Sequence, residues 1–149
     1  MTNTRQMIPV AGLFAILGVA AYMVVQLDGQ AGTLTGDFTN AAAAEVRDAQ
    51  GQVVLNGQFQ PVEEDDDDTE RKAALAPTGV DADAAGEAEV EFTTTAPAEQ
   101  EVEFSIRNVA PGAVYTFVID GIEVGSATAD SRGRAELEVD ASMPGTGRR

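Results

Sequence analysis

The chain has no cysteine, no histidine and no tryptophan, and Lys72 is its one lysine among nine basic residues. Without cysteine there is no disulfide, no thiolate nucleophile, no iron–sulfur cluster and no thiolate zinc site. A lipid anchor on an N-terminal cysteine is excluded for the same reason. Without histidine the chain lacks the usual general base near neutral pH and the commonest ligand for zinc, copper or iron. Carboxylates, hydroxyls, one lysine and a few arginines remain for chemistry. Positive charge is also scarce: 9 basic against 25 acidic residues give a net charge of −16. Such a surface repels phosphates, so nucleic acid is not an expected partner. The preference for arginine over lysine fits genomic bias and a saline habitat alike.

One long uncharged run is present. The 22 residues between Arg5 and Asp28 carry no charge. They read as a secretory signal or an N-terminal membrane anchor, with Arg5 as the basic start. Gly29-Gln30-Ala31 offers small residues for cleavage after Ala31. The run is long for a signal, yet Pro9, Gly12, Gly18 and its alanines dilute it, so cleavage and retention both stay open. Residues 1–31 are therefore expected to be a signal peptide or an anchor, in contact with the membrane through residues 7–27 if uncleaved. Arg5 stays inside and the acidic remainder lies outside the cytoplasmic membrane, anchored or secreted.

Residues 32–142 are enough for one domain. Glu89–Thr93, Glu101–Arg107 and Arg134–Asp140 alternate polar and apolar residues, the signature of strands with one wet face. Val114–Ile119 is apolar on both faces and predicts a central strand. Asp120-Gly121 between Ile119 and Ile122 is a two-residue hairpin signal. Ala110-Pro111-Gly112-Ala113 fits a type II turn. Asp48-Ala49-Gln50-Gly51 and Asp130-Ser131-Arg132-Gly133 share one spacing and predict two hairpins of like design. Thr33–Phe38 is a further edge strand. Residues 60–70 predict a mobile acidic loop, because consecutive like charges repel; Arg71–Ala76 is a short strand, and 143–149 a disordered tail. Together these features predict an all-β domain, a single antiparallel sandwich of about seven or eight short strands after an N-terminal hydrophobic helix.

Tyr115-Thr116-Phe117-Val118-Ile119-Asp120-Gly121-Ile122-Glu123-Val124-Gly125, followed by Thr128 to Leu137, resembles a hairpin pattern of exported bacterial β-rich proteins of uncharacterised function. The resemblance covers Tyr115–Leu137 and implies a β-sandwich-like module. It brings no catalytic residue with it.

Four constellations compete for a site. Glu63, Glu64, Asp65, Asp66, Asp67 and Asp68 are calcium candidates, since calcium takes several hard oxygens; a consecutive run without a glycine pivot has nothing to make them converge. Asp81, Asp83 and Gly86 copy the start of an EF-hand loop, but position twelve is Phe92 where a bidentate glutamate is required. Glu89, Glu91, Glu101 and Glu103 could pair as catalytic carboxylates, yet they fall opposite the apolar set and should be wet and ionised. Ser105, Ser126, Ser131 and Ser142 have only Lys72 as a basic partner, and no Gly-x-Ser-x-Gly occurs. Phe92, Phe104, Tyr115 and Phe117 are spaced as core, not as a stacking platform.

The sequence thus predicts a non-enzymatic structural or interaction module of the cell envelope, with an envelope or surface protein as partner and no catalytic or cofactor-binding residue. A calcium-responsive adhesion or binding module using residues 63–70 is the alternative. A hydrolase built on carboxylates or a Ser–Lys pair is the third.

Overall fold

The computed structural model describes residues 34–61, 63–65, 68–93 and 99–142. The expected leader (1–31) and tail (143–149) lie outside the described residues. No described helix is long and apolar enough to cross a membrane.

The described residues are all-β. They form ten strands: β1 (Leu34–Thr35), β2 (Ala43–Arg47), β3 (Val53–Gln58), β4 (Glu63–Asp65), β5 (Asp68–Pro77), β6 (Ala85–Thr93), β7 (Glu99–Arg107), β8 (Val114–Ile119), β9 (Ile122–Thr128) and β10 (Arg134–Ser142). They lie in the order β1-β10-β7-β6-β5-β3-β2-β8-β9, with β4 on β5. All pairings are antiparallel except β1 on β10.

The expected sandwich is not cleanly two-layered. The sheet is continuous and curls nearly into a barrel, because β5 is long enough to serve two partners. Its residues Asp68–Leu75 pair with β6, while Ala76 and Pro77 pair with Asn56 and Leu55 of β3. At this corner the backbones cross closely: a Cβ at Gly57 would collide with the Ala74 carbonyl oxygen. At the far end β9 returns towards β10, where a Cβ on Gly125 would lie 2.9 Å from a Leu137 methyl.

The core follows the alternation read from the sequence. Val102, Phe104 and Ile106 of β7 are buried, as are Ala88, Val90 and Phe92 of β6 and Ala135, Leu137 and Val139 of β10. β8 contributes Tyr115, Phe117 and Ile119. Its expected burial on both faces holds in part. Val118 is buried, whereas Val114 is 45% exposed because it stands at the open end of the strand. A bulge between Phe117 and Val118 brings Val124 and Gly125 of β9 inward together.

The turns are chemically legible. Asp120 and Gly121 have φ of 48° and 81°, the backbone of a type I′ hairpin. The Asp120 carboxylate also accepts from the amides of Ala42 (3.0 Å) and Ala43 (2.8 Å), tying this hairpin to the start of β2. Asp48 and Asp130 act alike. The Oδ1 of Asp48 accepts from the Gln50 and Gln52 amides, both at 2.9 Å. That of Asp130 accepts from Arg132 (2.8 Å) and Arg134 (2.9 Å). Only the first turn makes a hairpin, β2–β3. The expectation of a second hairpin is corrected: the Asp130 turn joins β9 to β10, which do not pair. Identical turn chemistry fixes the local reversal and leaves the ladder beyond it to side-chain packing.

The expected acidic loop 60–70 is also corrected in part. Glu63–Asp65 pairs with Asp68–Glu70 as a backbone hairpin. β5 extends past the predicted Arg71–Ala76 because β6 offers it a partner edge as far as Thr93.

Candidate functional site

The residue types that carry chemistry gather on the outer face of β5, β6, β7 and β10. A period of two turns every second residue of these strands away from the core. The register then aligns them across strands. Glu91, Glu101 and Asp140 form one row, and Glu89, Glu103 and Glu138 the next. Glu87, Ser105 and Glu136 make a third, and Ala85, Arg107 and Arg134 close the face. Neighbouring strands are about 4.8 Å apart, so each of the first two rows places three carboxylates side by side.

Direct opposition of like charge is unfavourable, and its electrostatic mark is visible. The Glu101 carboxyl is pushed above the usual glutamate range by partial burial, then by Glu138, Glu91, Asp140 and Glu103. Glu103 is pushed the same way by partial burial, then by Glu89, Glu138, Glu136 and Glu87. One cation enters from β5. Lys72 pairs with Glu70 and lies 3.4 Å from Glu89. It relieves the β5–β6 side of the face. On the β10 side no described cation pairs with Glu138 or Asp140.

The sequence candidates fall as follows. Glu89, Glu91, Glu101 and Glu103 do come together, as rows on an open sheet and not around a cleft. For the calcium set, the backbones of Glu63–Asp65 and Asp68 are strand, and Asp66 and Asp67 lie outside the described residues. Among the described residues no three acidic groups gather to hold a metal. In the EF-like segment the Asp81 carbonyl accepts from Ala84 (3.3 Å), the Asp83 carbonyl from Asn108 Nδ2 (3.1 Å), and Phe92 is in the core. Of the Ser–Lys candidates, Lys72 is on β5 beside Glu70 and Glu89, and Ser105 is two strands away on β7. An open recess of about 290 Å³ is lined by Gln60, Pro61, Glu70 and Lys72.

Two polar contacts escaped the sequence reading. Gln100 is buried at 3% exposure, accepts from the Phe38 amide and donates to the Gly36 carbonyl, both at 2.8 Å. It thereby binds the incoming strap Gly36–Phe38 to the start of β7. Its parity with Val102, Phe104 and Ile106 is the signal that places it inside. Tyr115 Oη accepts from the Ala110 amide at 3.0 Å, which no local spacing announces. No protein-family model, curated protein or solved structure matches this chain.

Proposed function

We propose that this chain is an exported, non-enzymatic module of the cell envelope that acts through its surface. The observation that carries this reading is the arrangement of its carboxylates, spread in rows over an open sheet face. Acid–base catalysis asks for the opposite, two carboxyls converging on one substrate with their environments set apart. A broad anionic face suits recognition of an envelope or surface protein, where charge complementarity sets encounter rate and specificity. The uncharged run from Gln6 to Leu27 supports delivery to, or retention at, the membrane.

The finer architecture we assign is a sandwich of Greek-key type closed towards a barrel. Its support is the crossing from β7 to β8, which passes from one half of the sheet to the other. The Tyr115 hydroxyl bonds back to Ala110 at that crossing, as the tyrosine corner of sandwich folds does.

Fusion of a phosphatase after Arg149 tests the placement. Activity in the intact cell is the expected result. A silent phosphatase, with a cytoplasmic reporter active at the same junction, would reverse the topology and remove the envelope reading. Alkaline extraction of membranes then separates an anchored product from a released one.

A further inference from the structure

We propose that Arg71 anchors an anion site: its guanidinium, set among apolar side chains on the inner face of β5, takes the carboxylate of a small amphipathic ligand whose apolar part lies against Phe59 and Phe92.

Parity places the side chain. Arg71 alternates with the buried Ala73 and Leu75, and it stands in register with Val90 of β6, then Val102 of β7 and Val139 of β10, all buried. Residues in register on an antiparallel ladder share a face. Arg71 therefore belongs to the core side, and its chain neighbours Glu70 and Lys72 to the outer one. On the inner face of β5, β6, β7 and β10 it is the one charged residue. Its Nε is buried and has no hydrogen-bond partner among the described residues. No ion pair among the described residues includes it. Gln100 and Tyr115, polar side chains that also face inward, are both satisfied. A buried donor left unpaired costs stability, and a methionine would fill the same place without that cost.

The surroundings set the chemistry of what pairs with it. Phe59 and Phe92, at 8% and 9% exposure, are the least covered phenylalanines of the core. Phe92 is one rung from Arg71 on the same face, since Thr69 is its partner in the ladder. The Gln60 amide bonds to the Lys72 carbonyl at 2.9 Å, which brings Phe59 to the same stretch of β5. The open recess of about 290 Å³ is lined by the chain neighbours of Phe59 and Arg71, namely Gln60, Pro61, Glu70 and Lys72, and gives a ligand room to approach. A planar guanidinium holds a carboxylate through two parallel hydrogen bonds. A chain of net charge −16 repels a multiply charged anion more than a singly charged one. The ligand class is therefore a monocarboxylate with an apolar chain. Within the protein, Glu64 of β4 falls opposite Thr69 in the ladder, so it is the internal carboxylate to be told apart from a ligand.

Octanoate is the probe, titrated into the full-length chain and followed by amide resonances, with octanol and acetate at equal ionic strength as controls. Octanoate should shift the amides of Thr69–Ala73 and Val90–Phe92 saturably and leave those of β8 and β9 in place. Acetate should bind more weakly, and octanol should give no saturable shift. Arg71→Met should weaken octanoate binding about tenfold or more, as loss of a charge-assisted hydrogen bond does, while the melting temperature of the free protein stays level or rises. Arg71→Lys keeps the charge without the paired donors and should fall between the two. Arg107→Met, which removes the same charge from the outer face, should bind as the parent does, and Glu64→Gln at least as well. Equal shifts with octanol, undiminished binding by Arg71→Met, or no saturable shift on β5 overturns the site. So does a lower melting temperature in both Arg71→Met and Glu64→Gln with no response to octanoate, which would make Arg71 half of an internal ion pair.

Discussion

Phe104 of β7 and Phe117 of β8 meet across the core with ring centroids 4.9 Å apart and planes inclined at 42°. The two strands are not neighbours in the sheet, so this contact joins its halves through the interior. Both side chains are fully buried. Phe104→Ala or Phe117→Ala should cost about 3–5 kcal/mol, a large share of a typical stability of ~5–15 kcal/mol. Urea unfolding followed by circular dichroism measures it. Near-neutral behaviour at both positions would mean that the halves do not pack through this pair.

Tyr115→Phe keeps the buried ring and deletes the acceptor for the Ala110 amide. The expected loss is about 1 kcal/mol, the usual net value of one hydrogen bond. The spectrum of the native state should not change. A loss as large as that for the phenylalanines would place more than a single bond at this crossing.

Alternation made the core strands readable, since a half-buried strand writes its two faces into the sequence. Gln100 obeyed that parity and was still missed, because a polar residue on an apolar face can be read only once its partner, the Gly36–Phe38 backbone, is known. The Asp turns were legible locally and misleading globally. Asp48 and Asp130 close identical loops, but whether flanking strands pair depends on packing such as Leu137 against Gly125. The carboxylates were legible one strand at a time. Their alignment into rows required the register of β6, β7 and β10, which no single strand encodes. β5 grew beyond its apolar stretch because an available edge on β6 outweighed the poor strand propensity of an acidic run.

Gln100→Leu removes both bonds that hold the strap and strands the Phe38 amide and the Gly36 carbonyl. Each unpaired buried group costs about 1–3 kcal/mol. Proteolysis should move to residues 36–40 while the rest of the sheet stays protected. Gln100→Glu keeps the acceptor for Phe38 and loses the donor to Gly36, so it should cut more slowly. Equal resistance of all three proteins would remove Gln100 from this role.

Stability should rise as the pH falls from neutral towards about 5. Glu101 and Glu103 are raised in the folded state, first by partial burial and then by their neighbours. The folded chain therefore binds protons more readily there than the unfolded chain, and stability decreases as the pH climbs through that window. Asp37 and Asp130 have the opposite sign. Hydrogen bonds from Thr39 hold the first low, and the Arg134 and Arg132 amides the second. Their contribution is present above the ordinary aspartate range near ~4 and disappears below it. Thermal melting against pH should show a maximum on the acid side of neutral. A plateau that continues unchanged from pH 5 to 8 would contradict it.

Calcium is expected to leave the melting temperature where ionic strength alone puts it. Calcium sites gather six to eight oxygens from a loop that curls around the ion. The described backbone of the acidic stretch is instead an extended antiparallel pair, Glu63–Asp65 on Asp68–Glu70. The rows on β6, β7 and β10 respond to any cation through screening and give no preference for calcium over a matched monovalent salt. A true site behaves differently, because binding to the native state alone stabilises it by about 2.7 kcal/mol at a hundredfold excess over the dissociation constant. Full-length chain should therefore be melted with millimolar calcium and with chelator plus sodium chloride at equal ionic strength. Coincident curves are the expected result. A separation of several degrees that disappears when Asp65 to Asp68 are changed to Asn would establish a calcium-responsive module and displace the purely structural reading of the acidic stretch.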